Sequence, residues 1–176
     1  MTNYHDTEWG VPVHDDLLLF EMLNLEGAQA GLSWQTILAR RDAYRKAFDN
    51  FDANKIAQYD DATRLLLLQD AGIIRNRLKI NAVIENAKAC LRIRQEYGSF
   101  DRYIWSFIHG QPLTRPDKNA ADDVSKRISK DLKKHGFRFI GPTTCYAFMQ
   151  AIGMVDDHAP DCFVAAGSGT RLVARP

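Results

Sequence analysis

The stretch LEGAQAGLSW, residues 25–34, sets one carboxylate, Glu26, among small residues and closes on Leu32, Ser33 and Trp34. A helix built only for packing favours Leu, Ala, Lys or Arg at such sites, and Gly27 and Gly31 each cost about 1 kcal/mol if helical. A carboxylate near an aromatic face is a pairing that holds a cation. A helix-terminal acid interacting with the dipole and a core tryptophan fit the same residues. Farther along, HAPDC spaces His158 and Cys162 four residues apart, and His5 completes three ligands of the kind Zn²⁺ favours. The pairs His5/Asp6, His14/Asp15 and Asp157/His158 also raise a metal-dependent hydrolase, although they lack the spacing of one shared site.

Charge supplies a further signal. Lys126, Arg127, Lys130, Lys133, Lys134 and Arg138 crowd one short region, whereas Asp and Glu dominate residues 6–26. On a chain of formal net charge +1, such a region either holds a phosphate backbone or forms a solvated helix face. With 176 residues, 45% hydrophobic and 26% charged, the sequence suits one domain over 1–176 with a substantial core. Three scattered cysteines, Cys90, Cys145 and Cys162, make no disulfide framework and point to a reducing compartment. No apolar run reaches membrane-spanning length and no signal peptide opens the chain, so the expected location is the cytoplasm.

The elements that must position these residues read as helices. DDLLLFEMLN is apolar nearly all round and begins after Asp15 or Asp16, as a buried helix does. SWQTILARRDAYRKAF reads as one helix with Ser33 as N-cap. A short helix follows Asp52, and DDATRLLLLQDAG gives another that stops at Gly72. In NRLKINAVIENAKACLRIRQEYG, the residues Ile80, Val83, Ile84, Ala87 and Leu91 share a face, and Gly98 supplies the stop. SFDRYIWSFI leads to GQPLTRPDKNAADD, which reads as a loop or lobe boundary. VSKRISKDLKKHG is amphipathic and basic, and PTTCYAFMQAIG shows Cys145, Phe148, Met149 and Ile152 at helical spacing. The expected class is all-α with two lobes.

Between the last two helices, a tight link holds Ile140, Gly141 and Pro142, with Pro142 near the first helical position. Such a link leaves backbone N–H groups at a helix N-terminus facing outward, where an anion such as a DNA phosphate can dock. It resembles a helix-hairpin-helix motif, and an ordinary αα-hairpin has the same spacing.

Segments spread over nearly the whole chain resemble the 3-methyladenine DNA glycosylase I (Tag) type of the helix-hairpin-helix glycosylases. They are YHDTEWGVP at 4–12, LFEMLNLEGAQAGLSWQTIL at 19–38, DAGIIRNRLKI at 70–80, YIWSFI at 103–108, KKHGFRFIGPTTCYAFMQAIGMVDDH at 133–158, and Cys162. The match extends to polar and glycine positions, which shared periodicity alone does not produce. The resemblance implies a monomeric enzyme that binds double-stranded alkylated DNA, flips out the damaged nucleotide and hydrolyses its N-glycosylic bond, releasing 3-methyladenine. By the same resemblance, Glu26 recognises and acts on the base, and Tyr4 and Trp34 are pocket aromatics. Gln29, Ala30, Gly31 and Leu32 form the segment that enters the DNA, with Leu32 as the wedge. The expected phosphate-side contacts are Lys133, Gly141 and Thr143.

A base alkylated at N3 of adenine is cationic, hence a good leaving group and a good partner for a carboxylate and aromatic faces. Superfamily relatives carry an aspartate near Asp156 and Asp157, but the Tag type is held to lack an acid in working position, so neither is assigned a catalytic role. TTCYAF offers no lysine nucleophile, which implies a monofunctional enzyme without lyase activity. The family's structural zinc uses two histidines and two cysteines; His5, His158 and Cys162 match three of them. The first cysteine has no counterpart, since the sequence begins at Met1, within the corresponding segment. Truncation, a different fourth ligand and loss of zinc all remain open on sequence alone. Met1 also stands where a further pocket tyrosine is expected, which implies a more open pocket. The competing reading is a non-catalytic helix-hairpin-helix DNA-binding module, which has no need of the 26–34 segment.

Overall fold

The computed structural model describes residues 2–114, 117–159 and 161–164. The pocket position expected at Met1 lies outside them. Asp15 caps α2 (Asp16–Gln29), its carboxylate accepting from Leu18 N at 2.8 Å. Nearly every residue of this helix is buried, and it packs against α3 (Trp34–Leu38), α7 (Arg77–Tyr97), α8 (Phe100–Ser106) and α10 (Pro142–Ala151). Two groups of helices thus share α2. On one side lie α4 (Arg41–Ala47), α5 (Ala53–Ile56), α6 (Asp61–Gln69) and α7; on the other lie α8, α9 (Lys118–Lys134) and α10.

α7 fulfils its sequence pattern. Asn76 caps it, Gly98 ends it, and Ile80, Val83, Ile84 and Ala87 are buried, while Leu91 is only half-buried. On α10, Cys145, Phe148 and Met149 are fully buried, as is Ile152 just beyond its end.

The structure departs from the sequence reading in four places. The segment after Ser33 is two helices, α3 and α4, broken at Ala39 and Arg40. The break suits two basic side chains: Arg40 Nη1 donates to Ala71 O at 2.8 Å, and Arg41 is drawn inward to Glu21 and Glu8, at 2.5 Å each. The polar stretch before residue 124 is only partly loop, because Asp117 caps α9 and the helix begins at Lys118. A short helix, α1 (Thr2–Thr7), carries Tyr4 and His5, although TNYHDT has no apolar period to announce it. Finally, β1 (Leu113–Thr114) and β2 (Val155–Asp156) form a small parallel pair, the one departure from helices and loops among the described residues.

Candidate functional site

The C-terminal half of α2 and the chain just after it hold most of the predicted site. Glu26 is 6% exposed and makes no hydrogen bond among the described residues. Desolvation pushes its carboxyl up to about 8. Its place in the last turns of α2 adds to the cost of charge there, because the negative end of the helix dipole disfavours an anion. The stabilising helix-terminal acid is therefore ruled out as its role.

Glu26 faces a cleft of about 270 Å³ lined by Tyr4, His5, Trp9, Gln29, Trp34, Ala147 and Gln150. This is near the lower end of the range of about 300–1,000 Å³ typical of ligand clefts. The Tyr4 and Trp34 rings stand 5.5 Å apart at 48°. The Tyr4 hydroxyl is buried without a partner, and burial together with the nearby Glu26 charge raises its pKa above the ordinary phenol value. A buried carboxylate and a buried hydroxyl, both unpaired and both at one aromatic-walled cleft, make a receptor for a flat ligand carrying positive charge and polar edges.

Sequence reasoning missed Trp9 and Gln150. Trp9 lies inside the 4–12 segment that the resemblance quotes, and its ring meets His158 edge-on at 4.6 Å. Gln150 follows Ala147 by three residues on α10, on the face turned away from the core. The Gln150 amide and the Tyr146 hydroxyl both donate to Asp157, at 2.8 and 2.6 Å, so this acid is engaged outside the cleft. α1 is held in place partly by Glu8, which accepts from the buried Arg41 and so ties the N-terminal segment to α4.

Past α2 the chain turns outward. Gly31 takes φ +79°, a conformation an L side chain rarely adopts, and Leu32 is 40% exposed although it is a large apolar residue. Ser33 then caps α3, accepting from Thr36 N at 3.2 Å. The predicted DNA segment is thus an exposed turn, not core.

The hairpin lies beside it. Ser129 Oγ donates to Ile140 O at 2.7 Å, and Asn86 bonds Arg138 N at 2.7 Å, which fixes the hairpin on α9 and α7. It also reaches α2, where a Cβ on Gly27 would meet Phe139 O at 3.4 Å, an ordinary contact. Gly141 is the N-cap of α10 with no side-chain bond, Pro142 occupies the first turn, and Thr143 and Lys133 are exposed. Among the described residues, the N–H groups of Thr143 and Thr144 have no acceptor, as at a helix N-terminus that can take an anion.

The ligand atoms of His5, His158 and Cys162 all lie within 4.8 Å of one another, and Cys162 Sγ is 3.7 Å from His5 Nε2. His5 Nδ1 bonds Asp6 at 2.8 Å and His158 Nδ1 bonds Asp156 at 2.7 Å, an arrangement that leaves each Nε2 free to ligate. The His158 Nε2 is buried without a partner. His14 instead bonds Asp101, so of the three His/Asp pairs only the histidines of two, His5 and His158, come together, and they do so with Cys162.

Residues 1–165 match the family described as methyladenine glycosylase. The chain is 48% identical over 165 residues to DNA-3-methyladenine glycosylase of Haemophilus influenzae, covering 91% of this chain and 89% of that one. It is 47% identical over 170 residues to DNA-3-methyladenine glycosylase 1 of Escherichia coli, covering 94% and 91%. It superposes with a TM-score of 0.88, at 40% identity, on a Staphylococcus aureus structure of 3-methyladenine DNA glycosylase I described as the basis of its 3-methyladenine recognition, covering 93% of this chain and 90% of that one.

Proposed function

The chain belongs to the methyladenine glycosylase family, and from that membership we propose that it excises 3-methyladenine from alkylated DNA by hydrolysing the N-glycosylic bond. The observation that carries this reading is Glu26, buried and unpaired at the aromatic cleft of Tyr4, Trp34 and Trp9. An N3-alkylated adenine, still attached to its sugar, brings the positive charge that such a carboxylate lacks. Bond cleavage sends the C1′–N9 electron pair into the base, which leaves neutral. Water then adds at C1′ and loses a proton, and an abasic site remains.

The residues ask little more of the protein. A cationic leaving group needs no protonation, so a general acid is dispensable. Glu26 is the sole carboxylate among the described residues that line the cleft, and no lysine lines it, which supports hydrolysis without lyase chemistry. Double-stranded DNA is held by the hairpin through Lys133, Gly141 and Thr143, while Gln29, Gly31 and Leu32 enter the stack and Leu32 fills the gap left by the flipped nucleotide. The protein works as a monomer in the cytoplasm; no described helix is long and apolar enough to cross a membrane.

Zn²⁺ fits the three residues His5, His158 and Cys162, because the donor set suits it and the buried His158 Nε2 otherwise has no partner. When bound it supplies cross-linking rather than catalysis, joining α1 to the segment after β2. His5 also lines the cleft, so the metal site borders the base pocket through that ring.

The test is incubation with methylated duplex DNA and chromatographic identification of any free base. The expected result is release of 3-methyladenine by the wild type and loss of most of it in Glu26→Gln, with the fold intact by circular dichroism. A protein that binds undamaged duplex in a salt-dependent way and releases no base is the non-catalytic module instead.

A further inference from the structure

The C-terminus of α2 ends in an unusual way. A helix leaves its last carbonyls without intrahelical donors. Here Gly27 O is met by Ala30 N at 3.4 Å and Gln29 O by Leu32 N at 2.6 Å. The carbonyls of Ala28 and Ala30 are met by another element: Lys79 Nζ donates to both, at 2.7 Å each. Two charge-assisted bonds at the negative end of the α2 dipole are strong for a side chain, and they grip the chain on either side of Gln29.

Lys79 is itself well braced. It lies in the first turn of α7, where Asn76 Oδ1 accepts from Lys79 N at 3.1 Å, and its neighbour Ile80 is 2% exposed. The lysine does not line the Glu26 cleft.

A wedge must resist the cost of unstacking bases, a few kcal/mol, without yielding itself. Leu32 stands on an exposed turn whose glycine favours no single conformation, so its stiffness must come from what lies beneath. We infer that Lys79 is a positioning residue, latching the Ala28–Ala30 carbonyls to α7 so that Leu32 is presented as a rigid wedge. This rests on the reading of Leu32 as the residue that enters duplex DNA. Without the ammonium, water satisfies the exposed Ala30 carbonyl, while the part-buried Ala28 carbonyl must shift to reach a donor, so the turn loosens.

The test compares Lys79→Met and Lys79→Arg with the wild type. In the free protein, amide exchange at Leu32, whose N–H bonds Gln29 O, should rise by at least about tenfold in Lys79→Met, the loss expected from one charge-assisted bond, while exchange in the rest of α7 is unchanged. Single-turnover excision from methylated duplex should fall by at least about tenfold, whereas affinity for free 3-methyladenine, read by tryptophan fluorescence, stays within about twofold. Lys79→Arg, which keeps the charge and two donors, should recover most of both. Unchanged exchange at the turn overturns the latch, and so do parallel losses of duplex excision and free-base binding. If the wild type releases no base, the proposed function fails, and the exchange measurement still decides the latch.

Discussion

Glu26 shows how one buried group sets two opposed pH dependences. Its carboxyl holds a proton up to about pH 8 in the folded chain, against an ordinary value of 4.5. The folded state therefore binds more protons than the unfolded state between these values. Stability from this group is full below the lower value and is lost as pH rises towards the upper. Replacing it with Gln removes that loss. In chemical unfolding, Glu26→Gln should gain on the wild type between about pH 5 and about pH 8, by on the order of a few kcal/mol at the upper end. A difference that does not change with pH refutes the burial of an unpaired acid. Binding of a cationic base runs the other way, strengthening as Glu26 ionises. The sequence singles out this acid by its small neighbours, but it does not distinguish a free carboxylate from a paired one. Glu21, one and a half turns earlier on the same helix, is 2% exposed and wholly engaged by Arg41 and Arg45. Nothing local to either residue separates them, because the arginines come from α4.

Among the elements, the exposed turn and the hairpin divide the work of engaging DNA. Leu32→Ala removes the plug and leaves the Glu26 cleft, so excision from duplex should drop by about tenfold or more while free-base affinity holds. Lys133→Ala should weaken binding to any duplex and reduce the slope of log affinity against log salt by about one. Equal losses for free base and duplex in the leucine variant would return Leu32 to a packing role. The long helices were legible because periodicity and caps coincide in them, as Asn76 and Gly98 do around α7. The split between α3 and α4 was not, because distant partners decide it: Arg40 reaches Ala71 O, and Arg41 reaches Glu8 and Glu21. The same limit hid α1, whose six residues form a helix only by resting on the rest of the protein.

Across the whole molecule, residues from both ends of the described chain meet at one place. The N-terminal segment is fastened by Gly10 N to Gln150 O at 3.1 Å, Val13 N to Ile152 O at 3.1 Å and Glu8 to Arg41. The His5, His158 and Cys162 cluster is a further tie, and its spacing was readable only for the pair four residues apart; His5 was added by residue type, since it stands 153 positions before His158. Three protein ligands hold zinc more weakly than the four of a closed structural site. The metal should accordingly copurify in part and leave readily to a chelator, and its loss should lower the melting temperature by about 2–4 °C per kcal/mol lost. Because other bonds also hold α1, excision should survive chelation largely intact, which separates a structural metal from a catalytic one. Adding an upstream segment that carries a cysteine should raise both zinc content and melting temperature. His158→Ala should abolish these responses to metal. A wild type whose melting temperature ignores both added zinc and chelator would show that the cluster holds no metal and that the backbone bonds and the Glu8–Arg41 pair are enough to close the molecule.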